Sequence, residues 1–180
     1  MIIAVDSREQ KPYKFKGLFP ESGDLVIMET GIPEGDYLTI GGSWVDNGER
    51  SLLAQDETVV HARSFKKEEC ALIERKTLAD LYGTIGHGRD RFVRELERMK
   101  VYGYAAILIE AQMSQIAEPN VHLKHPTQMS PKSVIASLIA WSQRYGIHIV
   151  MCPGRANAER ICFRILERWH QDSIPLNRKK

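Results

Sequence analysis

The chain contains 180 residues, the size of one ordinary domain, and it could hold two domains only if both were very small. Its apolar fraction of 43% and charged fraction of 27% are typical of globular proteins and exclude a chain that is disordered along its whole length. The formal net charge of +2 is too small to establish a polyanionic partner, so nucleic-acid binding would depend on where the charges lie.

The sequence shows no signal of a membrane or secreted protein. No apolar run reaches the ~18 residues that a membrane helix needs, and the N-terminus reaches Asp6 without the basic segment of a signal peptide. The cysteines Cys70, Cys152 and Cys162 are odd in number and widely spaced, which fits neither a disulfide framework nor a zinc site. We therefore expect a reducing, cytoplasmic location, at the nucleoid if the protein is prokaryotic.

Strand patterns dominate the first part of the chain. Five short segments have the composition of strands: residues 2–6, 25–29, 36–40, 58–62 and 71–74. The second and third are joined by a segment with turn chemistry. A loop rich in Lys, Pro and Gly precedes Gly23, and residues 41–57 have the composition of an exposed excursion.

Helical spacing of apolar residues begins at Lys76. Four helices are predicted: 76–85, 89–102, 131–145 and 156–170. The third has Ser130 as its N-cap and stops at Gly146, and the last is predicted to bury Ile161, Ile165 and Trp169. Strands are predicted at 105–110 and 147–151, and residues 111–129 are predicted to be irregular.

Strands come first in this order and then alternate with helices. The order predicts an α/β domain with a mixed central β-sheet flanked by helices. We expect the domain to cover residues 1–172 and a basic tail to occupy residues 173–180.

Four carboxylates lie on or beside predicted strands: Asp6, Asp36, Glu74 and Glu110. Acidic residues are poor strand formers and are costly to bury unpaired, so several of them near strand ends indicate a shared cation or a catalytic cleft. The alternative for any one of them is an edge or turn residue that is exposed to water.

The spacing of Glu74 and Lys76 favours a catalytic cleft. Residues two apart on a strand point to the same face, whereas Arg75 points away, and Asp36 on a neighbouring strand can complete the site. Carboxylates supply oxygen ligands to Mg²⁺, which polarises a phosphate and activates a bound water, and a lysine beside them orients or deprotonates that water. This layout fits metal-dependent phosphodiester cleavage, and a surface Glu/Lys pair is the alternative.

The chain also resembles a known family. The signature blocks of the XPF-type structure-specific DNA endonucleases are similar to three segments here: Val5-Asp6-Ser7-Arg8-Glu9, Gly35-Asp36-Tyr37 and Ile73-Glu74-Arg75-Lys76-Thr77-Leu78-Ala79-Asp80. The resemblance extends from about Ile2 to Trp169. It implies a restriction-endonuclease-like core that cuts branched, flapped or forked DNA with Mg²⁺ or Mn²⁺. A departure is the stretch of about thirty residues between Ile40 and Ala71, where the family usually has a short link.

The resemblance implies roles for the residues of the second and third segments. Asp36 and Glu74 would be metal ligands, and the Arg75 carbonyl would be another. Lys76 would act on the nucleophilic water.

Further site residues follow from the same resemblance. Asp6 would contact the metal or one of its ligands. Arg8 and Glu9 would belong to the cleft, with Arg8 on a DNA phosphate. Asp80 would orient its neighbours from the first turn of a helix.

Four arginines lie on one stripe of the helix predicted at 89–102, or at its start: Arg89, Arg91, Arg94 and Arg98. Such a face can contact DNA phosphates. The alternative is a solvated face on which Arg91 pairs with Glu95. His87, beside the predicted site, would touch DNA or a leaving oxygen, and a loop histidine without a role is the alternative.

Phe163 lies off the apolar stripe of the last helix and is therefore predicted to be exposed. An exposed aromatic residue on a terminal helix indicates a partner surface, and the resemblance implies dimerisation through C-terminal helices. We expect a homodimer with Phe163 near its interface, and a partly covered surface residue is the alternative.

Two functions of different classes remain. The first is an active, metal-dependent DNA endonuclease. The second is a non-catalytic DNA-binding or scaffolding subunit of a nuclease complex on the same fold. Inactive partners in the family lose the acidic residues or the lysine, and this sequence keeps all of them, so the active enzyme is favoured. Cutting of RNA stays open.

Overall fold

The structure of the chain, a computed structural model, describes residues 1–21, 23–40 and 66–173. Its centre is a mixed sheet of six described strands: β1 (Ile2–Asp6), β2 (Val26–Thr30), β3 (Tyr37–Ile40), β4 (Cys70–Lys76), β5 (Tyr104–Ile109) and β6 (His148–Met151). They lie in the order β2-β1-β3-β4-β5-β6. Strand β3 is antiparallel to both of its neighbours, and the other adjacent pairs are parallel. The predicted mixed α/β architecture is confirmed.

The helices within the described residues are α1 (Leu78–Ile85), α2 (Arg89–Met99), α3 (Met113–Ala117), α4 (Pro119–His122), α5 (Pro131–Tyr145) and α6 (Arg155–Ser173). None of these is long and apolar enough to cross a membrane. The prediction that residues 111–129 are irregular was wrong. Gln112 and Gln115 form a reciprocal capping box on α3, and Pro119 opens α4 at a position where its missing N–H costs nothing.

Two apolar clusters cover the two faces of the sheet, because successive strand residues point to opposite sides. Leu72 and Ile107 belong to the cluster that includes side chains of α1, α2, α3 and α5. Ile73 and Leu108 belong to the other cluster, which includes α6 and the segment around Tyr13. The three cysteines are buried and unpaired.

Strands β2 and β3 are consecutive in the chain but do not pair. Strand β1 lies between them, because Val5 pairs in parallel with Glu29 and antiparallel with Tyr37. The connection between β2 and β3 therefore crosses the end of β1. This crossing brings Asp36 beside Asp6, whose N–H donates to the Asp36 carbonyl oxygen at 2.9 Å. The ends of β1 and β4 and the start of β3 thus meet at one edge of the sheet.

The predicted excursion at 41–57 and the predicted strand at 58–62 lie outside the described residues, as do residues 174–180 of the predicted tail.

Gly35 is required by the turn that delivers Asp36. Its φ is +73°, and a Cβ there would lie 2.8 Å from Leu72 Cδ1 and 3.2 Å from the Ile73 carbonyl oxygen. We expect Gly35→Ala to lower the free energy of unfolding by roughly 2–5 kcal/mol, from backbone strain and overpacking together. Urea unfolding measures the loss. Gly17→Ala is the matched control, because Gly17 has φ +75° and nothing within 4 Å of a Cβ. An equal, small loss in both variants would contradict the crowding at Gly35.

Candidate active site

Asp36 is fixed against the end of β4 by main-chain contacts. Its N–H donates to the Ile73 carbonyl oxygen at 2.9 Å, and its Oδ2 accepts the N–H of Arg75 at 2.7 Å. The N–H and C=O of one strand residue point to the same edge, so the Arg75 carbonyl lies on the Asp36 side of β4. The predicted neighbours on β3 and β4 are therefore brought together.

Glu74 and Lys76 form an ion pair on one face of β4, as their spacing predicted. The Glu74 side chain is 6% exposed and the Lys76 side chain 13% exposed. The Lys76 Nζ lies 4.7 Å from the centre of the Phe92 ring on α2. The ion pair is therefore largely shielded from solvent, unlike the surface Glu/Lys pair that was the alternative.

Burial dominates the electrostatics of the three charged groups. It raises the pKa of Asp36 to about 7, although the hydrogen bond from the Arg75 N–H acts in the opposite direction. Burial and the charge of Asp36 raise the pKa of Glu74 well above its ordinary value. Burial is the largest single effect on Lys76 and lowers its pKa, but the charge and hydrogen bond of Glu74 together with the charges of Asp36 and Glu95 outweigh it, so the net shift is upward. The buried carboxylate of Glu74 and the half-buried one of Asp36 have one ammonium group, that of Lys76, near both of them, so negative charge exceeds positive charge among these three groups.

A divalent cation fits this donor set. Asp36 and Glu74 supply hard oxygen donors, and the Arg75 carbonyl is on the same side of the strand. Mg²⁺ in proteins is commonly held by one or two carboxylates and several waters. Within the described ranges, no group of three or more His, Cys, Asp or Glu side chains is arranged to hold a metal ion.

The raised pKa of Asp36 gives a pH dependence of stability in the metal-free protein. Between about pH 4 and pH 7 the folded state binds a proton that the unfolded chain releases, so stability from this group falls as pH rises through that window. In EDTA we expect the melting temperature of the wild type to fall by a few degrees relative to that of Asp36→Asn when pH is raised from about 5 to about 8. If the melting temperatures of the two proteins changed equally with pH, the raised pKa of Asp36 would be contradicted.

Asp6 and Arg8 form a second pair at the same edge of the sheet. Arg8 Nη2 lies 2.9 Å from Asp6 Oδ2, and Asp6 Oδ1 also accepts the N–H of Ile32 at 3.5 Å. The carboxylate of Asp6 is thus held by Arg8 and the loop before β3. Asp6 and Arg8 line a cleft of about 520 Å³ together with Asp36, Glu74 and Lys76, which we call the carboxylate cleft.

Arg75 points away from this cleft, as predicted, into a network on the other face of the sheet. Its Nη1 donates to Glu110 Oε1 at 3.0 Å and its Nη2 donates to Glu9 Oε1 at 2.9 Å. Glu110 also accepts the Tyr13 hydroxyl at 2.8 Å. Glu9 and Glu110 therefore fix the position of Arg75, whose N–H donates to the Asp36 carboxylate. Glu9 and Glu110 stood out in the sequence, but Tyr13 did not, because nothing in its spacing marks it.

Asp80 is hydrogen-bonded to Thr77 at the start of α1, and its orienting role in the site stays a prediction. Its carboxylate accepts the Thr77 hydroxyl at 2.7 Å, and Thr77 Oγ1 caps the helix by accepting the Asp80 N–H at 3.2 Å. Asp80 lines a neighbouring cleft and not the carboxylate cleft. It therefore reaches the site only through the end of β4.

The arginines of α2 separate into different environments. Arg91 and Arg98 line the carboxylate cleft, and Arg94 is exposed. Arg91 makes no ion pair within the described part of the chain, so the alternative pairing with Glu95 is not formed. Arg89 donates to Ser137 Oγ at 2.9 Å.

His87 and Arg89 lie together in a separate hollow of about 610 Å³ beside the start of α5. The placement of His87 in the predicted cleft was therefore wrong. The turn after α1 carries both residues away from the ends of β3 and β4.

A buried network around Glu34 supports the carboxylate cleft and was missed from the sequence. Glu34 is 5% exposed and accepts hydrogen bonds from Lys67 at 3.0 Å, Tyr102 at 2.9 Å and Arg98 at 3.2 Å. These residues are distant in sequence, so no local pattern could reveal the contact. The network ties the loop before Asp36 to α2.

The prediction that Phe163 is an exposed interface residue was wrong. Phe163 is fully buried, and its ring centre lies 6.1 Å from that of Phe15. Ile161, Ile165 and Trp169 are only partly buried, so the inward stripe of α6 is rotated from the predicted one. The segment around Phe15 packs on α6 and buries the face that carries Phe163, which the spacing of apolar residues in α6 alone predicts to be exposed.

The chain matches the family model described as "ERCC4 domain" over residues 5–163. Two solved structures are similar to it. The structure described as "XPF from Aeropyrum pernix" has a TM-score of 0.57 and 17% identity, and the match covers 96% of this chain and 65% of that one. For "XPF from Aeropyrum pernix, complex with DNA" the TM-score is 0.54, the identity 17%, and the coverage 99% and 69%.

At 17% identity the structural likeness shows the fold. The restriction-endonuclease-like core implied by the sequence blocks is thereby confirmed. No curated protein matches the chain in sequence. The family model spans all three signature blocks and most of the chain, and the chain belongs to the ERCC4 domain family, as its resemblance to the XPF-type nucleases indicated.

Proposed function

We propose that this chain is a metal-dependent endonuclease that hydrolyses phosphodiester bonds in DNA. The observation that carries the proposal is the cluster of the buried Glu74 with the half-buried Asp36 and Lys76, all of which line one cleft. Membership of the ERCC4 domain family supports it, as does the description of one similar structure as a complex with DNA. The acidic residues and the lysine are all in place, which favours an enzyme over a non-catalytic subunit.

Asp36 and Glu74 would hold the cation, Mg²⁺ or Mn²⁺, with the Arg75 carbonyl as a third oxygen donor. When bound, the ion polarises the phosphate and lowers the pKa of its water. Glu9 and Glu110 bind the Arg75 side chain and thereby fix the main chain of Arg75. This main chain lies next to both metal-ligand candidates, Asp36 and Glu74. The position of the donors is therefore set before any substrate arrives.

Lys76 would act as a charge beside the attacking water. In the metal-free protein the charges of Glu74 and Asp36 raise the pKa of Lys76 and keep its ammonium protonated at neutral pH, and a cation bound by the same carboxylates would favour the ammonium less. A protonated group donates hydrogen bonds and stabilises developing negative charge, but it does not abstract a proton. We therefore favour orientation of the water and stabilisation of the transition state as its role.

We also propose that the enzyme prefers branched, flapped or forked DNA.

A homodimer through the C-terminal helix is a further part of the proposal. Phe163 is excluded as the anchor of such a dimer. Arg160, Arg164 and Arg168 are exposed at intervals of one turn on α6. Arg164 pairs with Glu167 and Arg168 pairs with Asp172, so a two-fold contact through this face would be charged and would lack a buried aromatic anchor.

A panel of labelled DNAs tests the proposed activity. Purified protein with Mn²⁺ is incubated with single-stranded, duplex, flap, fork and four-way-junction DNAs of matched sequence. We expect internal cuts near the branch point of at least one branched substrate and slower cutting of the linear ones. Equal cutting of every substrate would contradict the preference for branches, and cutting of none of these DNAs would contradict the choice of DNA as substrate.

A further inference from the structure

A second cleft of about 710 Å³ adjoins the carboxylate cleft. The two share the segment Arg8–Gln10, which follows β1, and Arg91 of α2. These shared side chains form the boundary between the clefts. The second cleft extends from this boundary over the start of α1 to Arg155, at the beginning of α6. We call it the basic cleft.

The two clefts carry opposite charge. Six acidic side chains line the carboxylate cleft, against four basic ones: Asp6, Glu9, Glu34, Asp36, Glu74 and Glu95. Five basic side chains line the basic cleft, against three acidic ones: Arg8, Lys11, Arg75, Arg91 and Arg155. The first therefore suits a cation and the second suits anionic groups.

The acidic residues of the basic cleft are engaged within the protein, whereas two of its cations are free. Glu9 and Glu110 bind Arg75, and Asp80 binds Thr77. Across the described residues, neither Lys11 nor Arg91 has an ion-pair partner. The carboxylates of the basic cleft are thus already bound within the protein. The charged groups of Lys11 and Arg91 are therefore available to bind an external anion.

The position of Lys11 is fixed by Arg155. The Arg155 Nη2 donates to the carbonyl oxygens of Lys11 at 2.7 Å and Pro12 at 2.9 Å. The Lys11 N–H also donates to Glu9 Oε1 at 2.8 Å. The backbone that carries Lys11 is thus held at both sides, while its ammonium group stays exposed at the cleft.

We infer that the basic cleft binds the DNA backbone next to the phosphate that is cut. This inference rests on the proposed function, because it takes the scissile phosphate to lie in the carboxylate cleft. A strand that leaves this cleft past Arg91 enters the basic cleft, where Lys11 meets a neighbouring phosphate. The DNA path therefore runs from β4 towards the start of α6, and not towards the hollow that contains His87 and Arg89.

The test is the salt dependence of DNA binding by Lys11→Gln. Binding of a labelled flap DNA is measured by fluorescence anisotropy in EDTA, so that binding is separated from cleavage, between about 50 and 200 mM salt. Loss of one phosphate contact should reduce the slope of log K against log salt by about 1 and weaken binding at low salt. Lys132→Gln is the matched control, because Lys132 is an exposed lysine on α5 that lines neither cleft.

The outcomes separate this inference from the proposed function. If the slope of log K against log salt is reduced in Lys11→Gln and not in Lys132→Gln, DNA binding in the basic cleft is supported. This holds even if the protein does not cut DNA in the presence of metal. A slope equal to that of the wild type, in a protein that cuts DNA, would overturn the basic cleft and leave the nuclease intact. An equal reduction in both lysine variants would show diffuse charge attraction and would also overturn it.

Discussion

Replacement of Glu74 by Gln, or of Asp36 by Asn, should lower the single-turnover rate of DNA cleavage by at least about a thousandfold, which corresponds to roughly 4 kcal/mol. Each substitution removes a charged oxygen donor and keeps the size of the side chain. The fold should survive, because buried carboxylates with raised pKa values repel each other in the absence of a cation. Thermal unfolding in EDTA should show equal or higher stability in Asp36→Asn, and lower stability in Glu74→Gln, because that substitution leaves Lys76 without its ion-pair partner.

The control for these carboxylates is Glu97→Gln. Glu97, on α2, also pairs with a lysine, Lys100, which directly follows that helix, but both side chains are 48% exposed. Its loss should leave cleavage unchanged. Wild-type rates in Asp36→Asn or Glu74→Gln, with normal folding, would show that the pair does not hold a catalytic ion.

Lys76→Ala should slow single-turnover cleavage by about a hundredfold to a thousandfold at saturating metal. Its affinity for Mn²⁺ should stay the same or rise, because the ion pair between Lys76 and Glu74 competes with the metal for the carboxylate. The ammonium acts on the transition state, so the rate and the metal affinity should change separately. Calorimetric titration with Mn²⁺ gives the affinity, and quenched single-turnover reactions give the rate.

Lys100→Ala is the matched variant for Lys76, since it breaks an exposed Lys–Glu pair of the same type. It should change neither quantity. If Lys76→Ala cut DNA at the normal rate, Lys76 would be only a structural partner of Glu74. If its metal affinity fell as far as its rate, its role would be to shape the metal site.

The centre of the site was predictable from the sequence because it depends on local rules. The two-residue spacing of Glu74 and Lys76 places both on one face of any strand, and it turns Arg75 to the other. Asp36 was predicted from its place beside a strand, and from the block that resembles the family signature. The mixed sheet followed from the order of strands and helices.

The errors arose where distant segments meet. Phe163 is buried because the segment around Phe15 packs on α6, a contact that the spacing of apolar residues within one helix cannot show. The Glu34 network joins residues separated by 33 to 68 positions. His87 was assigned to the cleft from its proximity in sequence, whereas the turn at Gly86 and Gly88 directs it to another hollow.

The most direct measurement is cleavage of a covalently closed circular DNA whose branches are extruded stem-loops, because such a circle has no ends and only an endonuclease can open it. Wild type and Glu74→Gln are compared in Mn²⁺ and in EDTA. The proposal predicts linear or nicked product from the wild type in Mn²⁺ alone. Intact circles in all four reactions, or equal cutting by both proteins, would contradict a metal-dependent endonuclease site at Asp36 and Glu74.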